Sequence, residues 1–306
     1  MILVTGGAGI MGSRLVKELV KNGHKVRVLT LPGDPKVSNL EGIDCEIVYG
    51  DVSKADSLSG IFDNVRTVYH LAAIIIAYNK DVIRNINVEG TRNIVNGALN
   101  AKVDHFIYVS SVSAAWPEGS DYAQSKIEAE TIVKSQNKMK YTIIRPTLTY
   151  GCDEGQEFMM FVESLKKYPF VFFVGNGRAK KNPVLVDDIV RGLVAIASNT
   201  KSFGKTYDFS GGEEISMRDF ARLLLKYKDI SKPFIYVPVK LCKIIAFFME
   251  KTMKKPFLTR YAISRILQEA STNNTAARED LGYYPVGVRE GLRSCYKAQE
   301  LNKVQV

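Results

Sequence analysis

Through the first half of the chain, short apolar runs alternate with longer stretches whose apolar positions recur at helical spacing. The runs at 2–5, 26–30, 46–49, 67–71, 106–109 and 141–145 are rich in Val, Ile, Tyr and Phe and carry little polar alternation, as strands covered on both faces do. Between the first two, residues 13–22 put Leu15, Val16, Leu19 and Val20 on one helical face and stop at Gly23, a residue suited to the left-handed turn after a helix. Strand and helix in strict alternation predict parallel strands joined by crossover helices, hence a doubly wound α/β sheet of the Rossmann kind with six strands.

Beyond Gly151 the rhythm changes. Helical patterns at 157–167, 217–226, 239–251 and 288–299 outnumber strand candidates, so a smaller, mostly helical C-terminal region is expected. Strand-like 184–186, a helix opening at Asp187 and strand-like 206–209 are expected to return to the first sheet. The 306 residues, 46% hydrophobic and 24% charged, suffice for a full core. Four scattered cysteines, Cys45, Cys152, Cys242 and Cys295, form no C-x-x-C pair and predict neither a disulfide framework nor a zinc site; no metal is expected. Strand-like residues start at Met1 and no stretch has spanning length, so the cytoplasm is the expected compartment.

Charge changes the picture modestly. The chain carries 42 basic and 32 acidic residues, and residues 151–306 hold 25 and 17 of them. A basic excess there fits an anionic substrate, an acidic membrane surface or, the preferred reading, a solvated lysine-rich face. No nucleic-acid module accompanies it. The apolar segment 241–249, followed by Lys251, Lys254 and Lys255, is too short to span a bilayer; membrane-surface contact competes there with burial, and burial is expected.

Two motifs carry chemistry. Thr5 to Gly12 reads T-G-G-A-G-I-M-G directly after the first strand. Glycines in such a turn let backbone N–H groups reach a pyrophosphate, which then meets the N-terminus of the following helix. Tyr122 and Lys126 stand four apart in a segment opened by Ser120 and Asp121, so both share one helical face. A phenol with an ordinary pKa of about 10 must be brought near neutrality to exchange a proton with an alcohol or ketone, and a neighbouring ammonium favours that. The strand 106–109 ends in Ser110, Ser111 and Ser113, hydroxyls at the sheet edge where ligands bind.

With His70-Leu71-Ala72-Ala73, Asn87, Gly50-Asp51-Val52, Arg145-Pro146, Val184 to Asp188 and Leu281-Gly282-Tyr283, these motifs occur in a familiar order. The chain resembles the extended short-chain dehydrogenase/reductases over nearly its whole length. It is most like the NAD-dependent epimerase/dehydratase group, with likeness to the 3β-hydroxysteroid dehydrogenase and dihydroflavonol reductase branches. The resemblance implies a catalytic group of Ser111, Tyr122 and Lys126. It also implies a cofactor site of Gly6, Gly9, Ile10, Met11, Gly12, Thr30, Asp51, Val52, Leu71, Ala72, Ala73, Asn87, Tyr122, Lys126 and Pro146. His70 is expected to be a packed residue rather than a base or ligand. The implied domains are a dinucleotide-binding unit, 1–150 with 184–210, and a substrate-binding region, 151–183 with 211–306. A homodimer through helices near 81–100 and 122–135 is a further expectation.

The cofactor is NAD or NADP. Where many NAD-preferring relatives end the second strand in an acid, this chain has Thr30-Leu31-Pro32-Gly33-Asp34; Arg27 lies early and Lys36 late for a 2′-phosphate and neither decides, while an Asp34 turned toward the ribose would disfavour that phosphate, a slight lean to NAD. The implied activity is hydride transfer at a secondary alcohol or ketone carbon of a small-molecule substrate, as an epimerase or as a net oxidoreductase. A nucleotide sugar is one candidate, with Lys180 and Lys181 on its diphosphate. The short step from Ser111 to Tyr122 and Leu148 in place of an expected asparagine depart from the usual sugar-nucleotide enzymes, and the apolar segment 241–249 points to the alternative, a lipophilic steroid- or flavonoid-like alcohol or ketone. A non-catalytic nucleotide-binding regulator or assembly subunit is the alternative of a different class.

Overall fold

A computed structural model describes residues 1–303 except 78, 117–119, 153–155, 254–255, 257 and 270–271. The strands are β1 (Ile2–Thr5), β2 (Val26–Thr30), β3 (Glu46–Tyr49), β4 (Thr67–His70), β5 (His105–Val109), β6 (Lys140–Pro146), β7 (Thr149–Tyr150), β8 (Val171–Val174), β9 (Lys180–Lys181), β10 (Val184–Leu185), β11 (Lys205–Phe209), β12 (Ile215–Ser216) and β13 (Phe234–Val237). The helices are α1 (Ile10–Lys21), α2 (Lys80–Arg84), α3 (Gly90–Asn100), α4 (Asp121–Ser135), α5 (Gln156–Lys167), α6 (Val186–Ile196), α7 (Met217–Tyr227), α8 (Val239–Thr252), α9 (Arg260–Leu267), α10 (Thr275–Leu281) and α11 (Val288–Lys303).

Seven parallel strands form one sheet in the order β11-β6-β5-β4-β1-β2-β3. β1 is buried at every position because helices cover both sheet faces, which is why its sequence shows no alternation. The order reverses at β1, whose neighbours are β2 and β4. The loops leaving β1 and β4 therefore part there and open a crevice at the carboxyl edge. Leu3, Val68, Phe106, Ile94, Ala98, Ala129 and Val133 knit the sheet to α3 and α4.

The chain divides into two compact units. The first holds Met1–Thr147, Val186–Phe209 and Asn273–Tyr284, and the second Leu148–Leu185, Ser210–Thr272 and Pro285–Val306. Two expectations need correcting. Strand-like 184–185 does not enter the large sheet; it pairs with β7 in a two-stranded ribbon of the second unit. And 211–306 is not continuous, because Asn273–Tyr284 crosses back to the first unit, where Tyr283 stacks on Phe209 of β11 at 4.3 Å. The second unit packs α5, α7 and α11 around Phe158, Phe220, Leu224 and Leu292, with α8 and α9 on the β8–β13 ribbon.

Candidate active site

The glycine turn at the switch point of the sheet belongs to the first unit. Gly6 has a positive φ of 69°, and a Cβ there would lie 2.8 Å from the Ala72 nitrogen. A Cβ on Gly12 would collide with the Gly6 carbonyl and come within 2.7 Å of Gly7 Cα. Only glycine lets α1 settle onto the turn. Gly9 is the residue before α1, which opens with no side-chain cap and no acid in its first turn. The N–H groups of Ile10, Met11 and Gly12 thus sit at the positive end of an uncompensated helix dipole. This cradle fits a dinucleotide pyrophosphate.

The flanking residues shape the rest of the crevice. Thr30 ends β2, and its hydroxyl lies 3.4 Å from Asp34 Oδ2, while Asp34 Oδ1 accepts from Lys36 N at 3.0 Å. Arg27 turns inward, donating to the Ile61 and Asp63 carbonyls at 2.9 Å and pairing with Glu46. It is thereby unavailable to a 2′-phosphate. Asp51 Oδ1 accepts from both N and Oγ of Ser53, and Val52 packs against Gly90 at the start of α3. Leu71, Ala72 and Ala73 leave β4 half-buried, with Leu71 N and Ala72 N donating to Thr5 O and Thr5 Oγ1. Pro146 closes β6, buried and paired with Phe209.

The catalytic candidates come from β5 and α4. Ser120 caps α4 through the Ala123 N–H, so Tyr122 and Lys126 lie in its first turns. Lys126 is 2% exposed. Its Nζ donates to Val109 O at 2.9 Å and lies 4.8 Å from the Tyr108 ring centroid and 5.8 Å from that of Tyr122. Burial pushes its pKa down to about 7, against the pull of Glu130 in the opposite sense. Ser111 Oγ accepts from Ser113 N at 3.2 Å and Ser113 Oγ at 2.9 Å; among the described residues nothing takes its own hydroxyl proton. Ser110 is committed elsewhere, donating to Glu130 at 2.7 Å.

Sequence reasoning missed two parts of this region. Glu130 is the next residue down the face that carries Tyr122 and Lys126, and Arg145 grips both its oxygens at 2.7 Å. Repetition of the four-residue step was the available signal. The second is a buried polar chain: Thr5 Oγ1 to His70 Nδ1 at 2.7 Å, His70 Nε2 to Thr91 Oγ1 at 3.0 Å, and Thr91 Oγ1 to Asn87 O at 2.6 Å. Asn87 clamps Ile74 N and O at 2.9 Å and reaches Ser125 Oγ at 3.0 Å, which donates to Tyr122 O at 2.7 Å. No local pattern predicts those contacts, because they span up to 65 residues.

The second unit places Lys180 and Lys181 in β9, paired antiparallel with β12. Lys181 Nζ donates to the Arg265 and Gln268 carbonyls at the end of α9, and burial lowers its pKa to about 8. Lys180 faces Glu214 at 3.7 Å. Among the described residues no cluster of three His, Cys, Asp or Glu could hold a metal, and no helix is long and apolar enough to cross a membrane.

A parallel sheet with a glycine cradle at its switch point and a Tyr/Lys helix beside it defines a dinucleotide-binding oxidoreductase class. The chain belongs to the NAD-dependent epimerase/dehydratase family, whose model matches residues 2–210. It is 27% identical to a 3β-hydroxysteroid dehydrogenase/Δ5→4-isomerase of Mycobacterium tuberculosis over 96% of this chain and 89% of that protein. It is 26% identical to a 2-alkyl-3-oxoalkanoate reductase of Stenotrophomonas maltophilia over 95% and 97%. The crystal structure of a UDP-glucose 4-epimerase from Thermotoga maritima matches in fold with a TM-score of 0.79 at 22% identity, covering 99% of each chain. The protein is thus an enzyme, an oxidoreductase of the epimerase/dehydratase type.

Proposed function

We propose that the enzyme transfers hydride between NAD and a secondary alcohol or ketone carbon of a lipophilic substrate, with net oxidation or reduction. The observation that carries this reading is Lys126, buried beside the Tyr122 ring one helical turn away. When bound, the dinucleotide supplies the hydride acceptor or donor. Tyr122 gives or takes the proton at the substrate oxygen, Ser111 donates a hydrogen bond to that oxygen with its uncommitted hydroxyl proton, and Lys126 favours the phenolate and holds the nicotinamide ribose. Glu130, itself fixed by Arg145, supports the charged form of Lys126. Asp34, near the end of β2, disfavours a 2′-phosphate by like charge, and Arg27 is spent inside; both support NAD over NADP.

Two features of the second unit support the lipophilic reading. Lys181 caps α9 and Lys180 stands beside an acid that would repel a diphosphate, so the nucleotide-sugar alternative loses the cations it invoked. The two relatives above act, by their names, on a hydroxysteroid and an oxoalkanoate, which agrees with a lipophilic substrate, as does Leu148. The test is NADH formation from NAD with a panel of hydroxysteroids and long-chain hydroxy acids, scored beside UDP-sugars. Tyr122→Phe should lower kcat by roughly 10²–10⁴-fold while leaving NADH affinity, read by fluorescence titration, unchanged. Unchanged kcat in that variant refutes the assignment of the proton.

A further inference from the structure

The segment 239–251, expected to be buried, is not buried as a helix enclosed by its unit would be. α8 packs chiefly on α9 and buries a narrow seam of Cys242, Ala246 and Met249, of which Cys242 and Ala246 cluster with Ile263 of α9 and with Val174 and Val237 of the β8–β13 ribbon. On the outer side Leu241, Ile244, Ile245 and Phe248 are 47%, 55%, 40% and 59% exposed. Their i, i+3, i+4, i+7 spacing makes them one continuous apolar stripe. The same unit exposes two further large apolar side chains, Phe172 and Ile235, which pair across the ribbon.

The charge beside the stripe identifies what it fits. Lys240, Lys243 and Lys251 are exposed along one flank of α8. Residues 239–267 hold seven basic residues and a single acid, Glu250, which Arg260 neutralises at 2.7 Å. The surface therefore offers large apolar side chains beside Lys240, Lys243 and Lys251, none of which is paired with an acid among the described residues. A second copy of this face would bring like charges together, whereas an anionic bilayer presents acyl chains for the stripe and phosphates for the lysines. We propose that α8 is an interfacial helix that docks the enzyme on anionic membrane surfaces. This stands independently of the assigned reaction, since none of these residues is in the catalytic group.

The test is co-sedimentation of the full chain with phosphatidylcholine vesicles, with and without phosphatidylglycerol. Binding is expected only with the anionic lipid, weakening as salt rises. The double substitution Ile244→Glu with Phe248→Glu should lower the partition coefficient at least roughly tenfold, with circular dichroism confirming the fold. Phe248→Trp, which keeps the stripe apolar, should show a blue-shifted emission on adding those vesicles. Failure to sediment, or a tryptophan that stays in water while the protein sediments, overturns the proposal. So does concentration-dependent dimerisation that the double substitution abolishes, since the stripe would then be an interface between copies.

Discussion

His70 shows how much one buried residue can determine at this site. Thr91 donates its hydroxyl proton to Asn87 O, so its oxygen must accept from His70 Nε2–H. His70 is then the neutral Nε2 tautomer, Nδ1 accepts from Thr5, and Thr5 Oγ1 is left to accept from Ala72 N. Every proton in the chain has one place, and the chain ties the loop against Gly6 to the helix that carries Tyr122. Protonating the ring would set two donors against Thr5, whose proton already points at it. Full burial and the charge of Lys126 push the pKa down to about 3. Because the unfolded chain takes up this proton below about pH 6.5 and the folded one does not, His70's contribution is intact above that pH and is lost as pH falls toward 3. At pH 5 the loss is about 2 kcal/mol. The melting temperature of the wild type should therefore drop between pH 6.5 and 4, and His70→Gln, less stable at pH 7, should show a flatter profile; parallel profiles would refute the ordering.

Among the elements, the β1–turn–α1 unit is the one on which cofactor binding depends in the proposed reading, and a Cβ on Gly6 or Gly12 would meet neighbouring backbone. Gly12→Ala should force α1 off the turn, costing about 1–3 kcal/mol by overpacking and weakening NADH binding more than tenfold, as read from thermal melts and fluorescence titration. A variant with wild-type affinity would show that the cradle does not need this contact. This element was legible because its requirements are local: an apolar strand, glycines at fixed spacing, then an amphipathic helix, all within 21 residues. The strands of the sheet were legible for a related reason, since burial on both faces leaves continuous apolar runs. α8 was legible as a helix but not in its placement. Apolar composition says that a face avoids water, and only the neighbours say what covers it; here α9 and the ribbon bury Cys242 and Ala246, while Leu241, Ile244, Ile245 and Phe248 stay exposed. The ribbon partners β7 to β10 and β9 to β12 are two residues long, too short for any period to register. At the site, the Tyr122/Lys126 step and the run of serines after β5 could be read locally, with Ser111 singled out among them by the resemblance, whereas the His70 chain joins residues from four separate segments.

At the scale of the molecule, the chain passes between its two units repeatedly, and the last return is the least expected. Residues Asn273–Tyr284 leave the second unit to complete the first. α10 sits beside β11, where Asp280 accepts from Lys205 at 2.6 Å and from Tyr207 at 2.8 Å, and the Asp280 carbonyl accepts from Asn199. Gly282 ends the helix in the left-handed region and turns Tyr283 into the core, 3% exposed, its ring nearly parallel to Phe209 and against Gly192 of α6. Among the described residues β11 is an edge strand paired with β6 alone, and a residue some 75 positions later stacks on its Phe209. Tyr283→Ala removes a stacked, buried ring and should cost about 3–5 kcal/mol. Hydrogen exchange should locate the loss: amides of 205–209 and 140–146 exchange faster, while those of α7 and α11 in the second unit keep their protection. Uniform loss of protection through both units would mean instead that they unfold as one, and that the return segment has no special bearing on the sheet.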